Sequence, residues 1–265
     1  MKIEIENTSS PGASFTDNTN DVLLKINDWI KSHQDDILSF REFRKILQQE
    51  KGINDNNARN IYPLLKNCGL IQYETRGDLR VCDFFTNTGL AYVTALDTKQ
   101  LLIDNKDYSS QQKLVASKKI DKIISEIVRN SLMKLLSNKD LNYVEALKDF
   151  ILFILSYGKI NKTEFAYYLY ERKKYCANEA IEMARSNIID YRKGVLVFDV
   201  EVNVRNDVEL REKTQKNRRK EGLSFLTSYT YFSSLLLQAD FVEKSEGYIV
   251  LKQDTKKDLE KLLEA

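Results

Sequence analysis

The feature that most constrains the fold is apolar spacing, which is helical over long stretches and changes to a strand-like pattern in a few short ones. From residue 22 to residue 68, three stretches repeat apolar side chains every three or four positions, which gives each helix one apolar face. We expect Gly52 to end the second helix and Asn54 to cap the third. Pro63 lacks a backbone donor, so the third helix should kink or restart there. The inward positions of the three helices are Leu23, Ile26, Trp29 and Ile30; Phe40, Phe43, Ile46 and Leu47; and Ala58, Ile61, Leu65 and Cys68.

A β-hairpin is predicted directly after the third helix. Residues 70–76 and 79–84 depart from helical spacing, and Gly77-Asp78 between them is a turn sequence. A fourth helix is expected to follow, through Tyr92 and Leu96. Three helices, a hairpin and a closing helix are the element order of a winged helix-turn-helix domain.

Residues 62–93, YPLLKNCGLIQYETRGDLRVCDFFTNTGLAYV, resemble the winged helix-turn-helix superfamily. The resemblance is strongest at the Leu-Gly-Leu-like end of the third helix and at the Thr-x-x-Gly after the hairpin. It implies a winged-helix DNA-binding domain at residues 21–104. The polar residues 1–20 before it are expected to form a mobile arm.

The sequence after residue 104 predicts a connecting helix and a second recognition domain. A linker and a long amphipathic helix occupy residues 105–137, and the second domain occupies residues 138–265. In that domain Asn161-Lys-Thr-Glu164 is a capping-box pattern, and hairpins are expected within 188–204 and 241–251. The expected fold class is mainly α with small β-hairpins (α+β), with tandem winged-helix units joined by a long helix.

Composition excludes several classes of function. The 41 Lys and Arg residues are balanced by 39 Asp and Glu, so a net charge of +2 rules out binding through bulk positive charge. One histidine and three dispersed cysteines argue against metal sites and His-based catalysis, and the cysteines are expected to be buried thiols. The longest apolar run is too short for a membrane span, and no signal peptide is evident. We expect a cytoplasmic protein with no catalytic residue, cofactor, metal or membrane partner.

The outward side of the third helix is the predicted base-reading surface. In a helix-turn-helix this side enters the major groove, where asparagine can pair with adenine and arginine with guanine. Arg76 and Arg80 on the hairpin would contact phosphate or the minor groove. A solvated polar face and a protein-docking surface are the alternatives. The base-reading residues are Asn56, Asn57, Arg59 and Asn60.

A basic strip from Arg211 to Lys220 is the predicted phosphate-binding segment. Six of its ten residues are basic and one is acidic. Because phosphate contacts release counterions, binding through this strip should weaken steeply as salt rises. An exposed helix with solvated charges is the alternative. The basic members are Arg211, Lys213, Lys216, Arg218, Arg219 and Lys220.

Two further patterns carry less information. Tyrosines interleaved with basic residues from Tyr167 to Lys174 could stack on single-stranded bases. Their spacing favours a structural role instead, with Phe165 and Leu169 in the core and the tyrosines around the rim of a helix. The carboxylates Asp190, Asp199 and Glu201 suggest a PD-(D/E)xK nuclease. However, Asn203 stands where that motif needs a lysine, and a half-exposed strand explains the alternation of polar residues.

A more specific resemblance is to the DNA-recognition half of type IIS restriction and nicking endonucleases. It is carried by DLRVCDFFTNTGLAYV, by DFILFILSYGKINKTEFAYYL, and by REKTQKNRRKEG followed by YFSSLLLQADFVEKSEGYIVLKQDTKKDLEKLL. In that family winged-helix domains read an asymmetric site, and a separate PD-(D/E)xK domain cuts outside it. The resemblance implies sequence-specific binding of double-stranded DNA as a specificity module. Cleavage would come from a separate nuclease domain or subunit.

Three other functions remain open from the sequence. A transcriptional repressor or a plasmid replication initiator would use the same folds, usually as a symmetric dimer on a two-fold or repeated site. A winged-helix scaffold subunit would bind other proteins instead of DNA. A nuclease that depends on Mg²⁺ and Glu201 is the third alternative.

Overall fold

The structure is a computed structural model that describes residues 1–6, 8–73, 77–205 and 218–264, with the backbone alone at 56–57, 204–205 and 218–221. The α-helices in these ranges are α1 (Asp17–Ser32), α2 (Phe40–Lys51), α3 (Asp55–Asn67), α4 (Asn87–Asp104), α5 (Ser110–Leu136), α6 (Val144–Tyr157), α7 (Lys162–Arg172), α8 (Ala177–Arg192), α9 (Thr227–Gln238) and α10 (Lys256–Glu264). The strands are β1 (Lys2–Glu6), β2 (Ile37–Ser39), β3 (Asp78–Arg80), β4 (Lys159–Ile160), β5 (Asp199–Arg205), β6 (Arg218–Glu221), β7 (Val242–Ser245) and β8 (Tyr248–Leu251). The prediction of a mainly helical fold with small β elements is confirmed.

The chain divides into two compact units. The first unit contains residues 11–138 and 234–240, and the second contains residues 1–10, 139–233 and 241–264. Segment 234–240 is held in the first unit by contacts such as the hydrogen bond that Arg129 Nε donates to the Ala239 carbonyl oxygen at 2.7 Å. The long helix α5 also belongs to the first unit.

Helices α1 to α3 of the first unit follow the apolar spacing of the sequence. All of their predicted inward positions are buried except Ile46, which is half-buried. A capping box between Ser39 and Glu42 begins α2, and Gly52, with a φ of 65°, ends it. Trp29 anchors this core, because its ring contacts Phe43 edge-on at a centroid distance of 5.6 Å.

The region after α3 pairs differently from the predicted hairpin. Strand β3 pairs antiparallel with β2, and residues 81–83 form a turn of 3-10 helix in place of a strand. Val81 and Phe84 are both fully buried, and side chains three positions apart share one side of such a turn but lie on opposite faces of a strand. Among the described residues, the two predicted arms are joined by a hydrogen bond that Gln72 N donates to the Phe84 carbonyl oxygen at 2.7 Å, next to a bridge between Ile71 and Phe85.

Helix α3 continues through Pro63, so the expectation that the helix restarts at this residue is wrong. Pro63 is exposed, whereas its neighbours Tyr62 and Leu64 are buried. We attribute the continuity of the helix to the packing of these neighbours, since burial of an apolar face can outweigh the loss of one backbone hydrogen bond.

The prediction of a mobile arm at residues 1–20 is wrong. Strand β1 lies within this segment and pairs in parallel with β5, and Ile3 and Ile5 are fully buried. Phe15 is also fully buried, and α1 begins before residue 20. Polar composition suggested disorder, but alternation of isoleucine with charged residues over five positions is sufficient for an edge strand.

The second unit contains two three-stranded sheets with the strand orders β1-β5-β6 and β4-β8-β7. The hairpin predicted within 241–251 is confirmed as β7 and β8. Its two-residue turn places Glu246 at φ 49° and Gly247 at φ 80°, the positive values that a type I′ turn requires.

The hairpin predicted within 188–204 is absent from the structure. Helix α8 continues to Arg192, because Ala184 and Ile188 extend its buried face. The segment from residue 199 to residue 205 is a strand, as expected, but it pairs with β1 and β6. One of these partners, β1, lies at residues 2–6, so no pattern within 188–204 could identify it.

Two tyrosines of α7 pack in the core, whereas the spacing predicted Phe165 and Leu169 there and the tyrosines around the rim of the helix. Tyr167 and Tyr168 are buried, and Tyr167 stacks on Phe198 at a centroid distance of 4.5 Å. The predicted capping box between Asn161 and Glu164 is present at the start of this helix. These contacts explain the aromatic run without a role in stacking on bases.

Candidate nucleic-acid interface

Cationic side chains of α2 and α3 line one open groove in the first unit, here called the α2–α3 groove. Its volume is about 480 Å³. Four of its lining side chains are cationic and one is a carboxylate, so the groove is positive although the chain is nearly neutral. The lining residues are Phe40, Arg41, Arg44, Lys45, Gln48, Asp55 and Arg59.

The sequence of α2 places its basic residues in the groove by helical spacing. Phe40, Phe43 and Leu47 form the buried face of the helix, which leaves Arg41 and Lys45 exposed one turn apart. Phe40 also lines the groove, and its ring stacks on Tyr73 at a centroid distance of 4.3 Å. Burial raises the pKa of the Tyr73 hydroxyl, an effect that the charge of Arg44 partly opposes. The groove is thus lined by cationic side chains and by one aromatic ring, that of Phe40.

Asp55, the first residue of α3, links the two helices that line the groove. Its Oδ1 accepts a hydrogen bond from Arg44 Nη2, and its Oδ2 accepts one from Arg59 Nε at 3.1 Å. The Arg59 side chain keeps 68% of its surface exposed, compared with 26% for Arg44. Arg44 therefore ties α2 to α3, whereas most of Arg59 still faces solvent.

The predicted base-reading residues lie along the first half of α3. Arg59 and Asn60 are exposed while Ala58 and Ile61 are buried, so the sequence oriented this part of the helix correctly. The Asn60 side chain lies beside the backbone of Gly12, where an added Cβ would be 3.5 Å from Asn60 Oδ1. The side chains of two more base-reading residues, Asn56 and Asn57, lie outside the described part of the structure.

Of the two predicted wing arginines, Arg80 is described and Arg76 lies outside the described residues. Arg80 is in β3, where its backbone pairs with Ile37, and its side chain is 59% exposed. Asp35 Oδ1 is 4.0 Å from Arg80 Nη2. This arginine is thus accessible at the end of the small β2–β3 sheet.

The predicted basic strip is only partly described. Arg211, Lys213 and Lys216 lie outside the described residues, whereas Arg218, Arg219 and Lys220 form strand β6 of the second unit. The backbone of β6 pairs antiparallel with residues 202–205 of β5. The alternative of an exposed helix is therefore wrong for residues 218–220.

Sequence reasoning missed the contribution of α2 to the groove. Arg41, Arg44, Lys45 and Gln48 recur at intervals of three, one and three residues, which places them together on one side of a helix. That spacing was visible in the sequence. In helix-turn-helix domains the helix that follows carries the base contacts, so the family pattern pointed to α3 alone.

The carboxylates considered for a nuclease do not form a metal site. Glu201 forms a salt bridge with Lys2 at 2.8 Å, and Asp190 lies on α8 while Asp199 is on β5. Among the residues that the structure describes, no group of three or more His, Cys, Asp or Glu side chains could hold a metal ion.

The cysteines are free thiols, but the prediction that all three are buried is wrong. Cys68 is buried, Cys82 is half-buried and Cys176 is exposed. Burial raises the pKa of the Cys68 thiol to about 12.

Within the described ranges, every helix is too short or too polar to cross a membrane. Compared with known proteins, the chain matches no family model, no curated protein and no solved structure.

Proposed function

We propose that the chain binds double-stranded DNA in a sequence-specific manner, with the first unit as a winged helix-turn-helix domain. The observation that carries the proposal is the α2–α3 groove, whose cationic walls adjoin the exposed Arg59 and Asn60 of α3. The element order α1-β2-α2-α3-β3-α4 supports it, since a helix-turn-helix presents its later helix to the major groove.

Each part of this surface has a distinct role in the proposal. Arg59 and Asn60 read base edges, because arginine pairs with guanine O6 and N7 and asparagine with adenine N6 and N7. Arg41 and Lys45 contact phosphates, which position the helix but carry no sequence information. Arg80 contacts the sugar-phosphate backbone of the DNA beside the major groove.

The proposed biological role is that of a cytoplasmic specificity module of a restriction or nicking system. The resemblance to type IIS recognition domains supports this role, with cleavage supplied by a separate nuclease domain or subunit. In this proposal the second unit adds phosphate contacts through Arg218, Arg219 and Lys220. The β6 strand that they form is short and basic, which suits a backbone contact.

Selection of binding sites from random duplex DNA tests the proposal directly. An asymmetric preferred site bound by a monomer is the expected result. A two-fold symmetric site bound by a dimer would favour the repressor or initiator alternative. Failure to retain any fragment at low salt would overturn DNA binding and favour the protein scaffold.

A double variant tests the groove itself. Arg41→Ala combined with Lys45→Ala should weaken binding to all sequences alike. It should also reduce the slope of log affinity against log salt by about two, since each phosphate contact contributes about 0.9. Lys118→Ala combined with Lys122→Ala is the matched control, because these exposed lysines have the same four-residue spacing on α5. Equal losses in the two double variants would contradict the assignment of the groove.

A further inference from the structure

The contacts of Asp55 point to a role that the general DNA-binding proposal does not include. Its two carboxylate oxygens hold two arginines, and only one of these, Arg59, is largely exposed. Asp55 lies four residues before Arg59 on the same helix, the order in which an acidic and a basic side chain pair most favourably. The carboxylate therefore restricts Arg59 before any ligand arrives.

The atom of Arg59 that Asp55 contacts determines which N–H donors of Arg59 remain for a base contact. Nε of Arg59 is the donor to Asp55, so the terminal amino groups Nη1 and Nη2 are not used in this contact. Two parallel N–H donors at the end of a guanidinium match two adjacent acceptors. In the major groove guanine presents such a pair in O6 and N7, whereas adenine presents one acceptor and one donor.

Asp55 also places a negative charge in a groove that is otherwise cationic. A carboxylate there opposes attraction to phosphate at every sequence, so it lowers affinity for non-specific DNA. Specificity is a difference between affinities, and it rises when non-specific binding is weakened while a correct base contact is kept. Asp55 can therefore both restrict Arg59 and weaken binding to non-specific DNA.

We propose that Asp55 is a positioning residue that prepares Arg59 to read a guanine and lowers binding to other sequences. This inference rests on the proposed function, because it requires that α3 enters the major groove. Fixing the arginine in advance reduces the rotamer entropy that is lost when the base contact forms. Arg44, on the second carboxylate oxygen, is a tether between helices and has no part in reading the base.

The test compares base preferences and salt dependence across single variants, using random duplex DNA as the probe. Arg59→Ala identifies the base pair that Arg59 reads, which should be guanine in the wild type, with discrimination falling about tenfold or more. Asp55→Asn should relax the preference at the same base pair. It should also raise affinity for non-specific DNA and steepen the salt slope by about one. A relaxed base preference together with a raised affinity for non-specific DNA is a combination that a loss of folding cannot produce.

Two control variants separate positioning from structural support. Asp97→Asn removes a carboxylate of similar exposure that pairs with Lys31 on another face, and it should leave base preference and salt slope unchanged. Arg44→Ala breaks the tether but keeps the Asp55–Arg59 contact, so guanine preference should persist. If Asp55→Asn fails to fold by circular dichroism, Asp55→Ser supplies the same loss of charge at a helix start.

The outcomes distinguish this inference from the function on which it rests. If Arg59→Ala relaxes a guanine preference that Asp55→Asn or Asp55→Ser retains, the positioning role is overturned and DNA binding stands. If Arg44→Ala and Asp55→Asn relax it equally, Asp55 acts only as a structural support. If the wild type selects no sequence, both proposals are overturned.

Discussion

At the scale of single residues, burial gives the cysteines different reactivities. Cys68 is 2% exposed, directly after the end of α3, whereas Cys176 is exposed just before α8. Removing the thiol from water disfavours its charged form, which raises the pKa of Cys68 to about 12. The thiolate is the reactive species, so the cysteines should differ widely in reactivity.

Alkylation of the native protein should therefore spare Cys68. Burial raises the pKa of Cys68 to about 12, so very little of its thiol is ionised at pH 8, and burial blocks the reagent as well. Iodoacetamide at this pH should label Cys176 first and Cys82 more slowly, with Cys68 labelled only after unfolding in urea. Peptide mass spectrometry measures the three sites separately. Labelling of Cys68 at the rate of Cys176 in the folded protein would contradict its placement in the core.

At the scale of elements, the Thr-x-x-Gly sequence joins α4 to the end of α3. Thr86 Oγ1 accepts a hydrogen bond from Gly89 N at 3.0 Å and donates one to the Gly69 carbonyl oxygen at 2.7 Å. A Cβ on Gly89 would lie 1.8 Å from the Leu70 carbonyl oxygen. The glycine is therefore required by close approach of two backbones, and α3 keeps its orientation through this contact.

Gly89→Ala should destabilise the protein by about 3 kcal/mol, because a backbone atom must move to admit the methyl group. The melting temperature should fall by about 6–12 °C, measured by circular dichroism. Gly222→Ala is the matched control, since Gly222 has a φ of −73° and open space around its Cβ position. The control should stay within about 0.5 kcal/mol of the wild type. Similar melting temperatures for the two variants would rule out the close approach at Gly89.

At the scale of the whole molecule, the amino-terminal residues complete the second unit. Strand β1 pairs with β5, so that Ile5 lies opposite Val202, and both side chains are fully buried. Residues 1–10 therefore belong with residues 139–233, although residues 11–138 separate them in the sequence.

Ile5→Ala should lower the free energy of unfolding by about 3 kcal/mol, since it removes buried methyl groups and leaves a cavity. Lys2→Ala in the same strand should cost less than about 1 kcal/mol, because the Lys2 side chain is 63% exposed and its salt bridge to Glu201 is screened by solvent. Urea unfolding followed by circular dichroism compares the two. A mobile amino-terminal arm would make both substitutions neutral, and that result would exclude β1 as a structural element.

The sequence by itself determined the first three helices and their inward faces. Their apolar spacing, the Ser39–Glu42 capping box and the Gly52 terminus act within a few residues, so a local pattern is sufficient to specify them. The same locality made Arg59 and Asn60 predictable as exposed residues of α3. It also made the β7–β8 hairpin predictable, because a two-residue turn pairs adjacent strands.

Only the tertiary structure decided which segments meet. The pairing of β1 with β5 and of β3 with β2 joins residues distant in the sequence, where the spacing of one segment does not identify its partner. The α2–α3 groove likewise exists because two helices pack at one orientation and bring Arg44 and Arg59 to a single carboxylate. Spacing along a chain determines which side of an element is buried, whereas the contacts between elements depend on how those buried sides fit together.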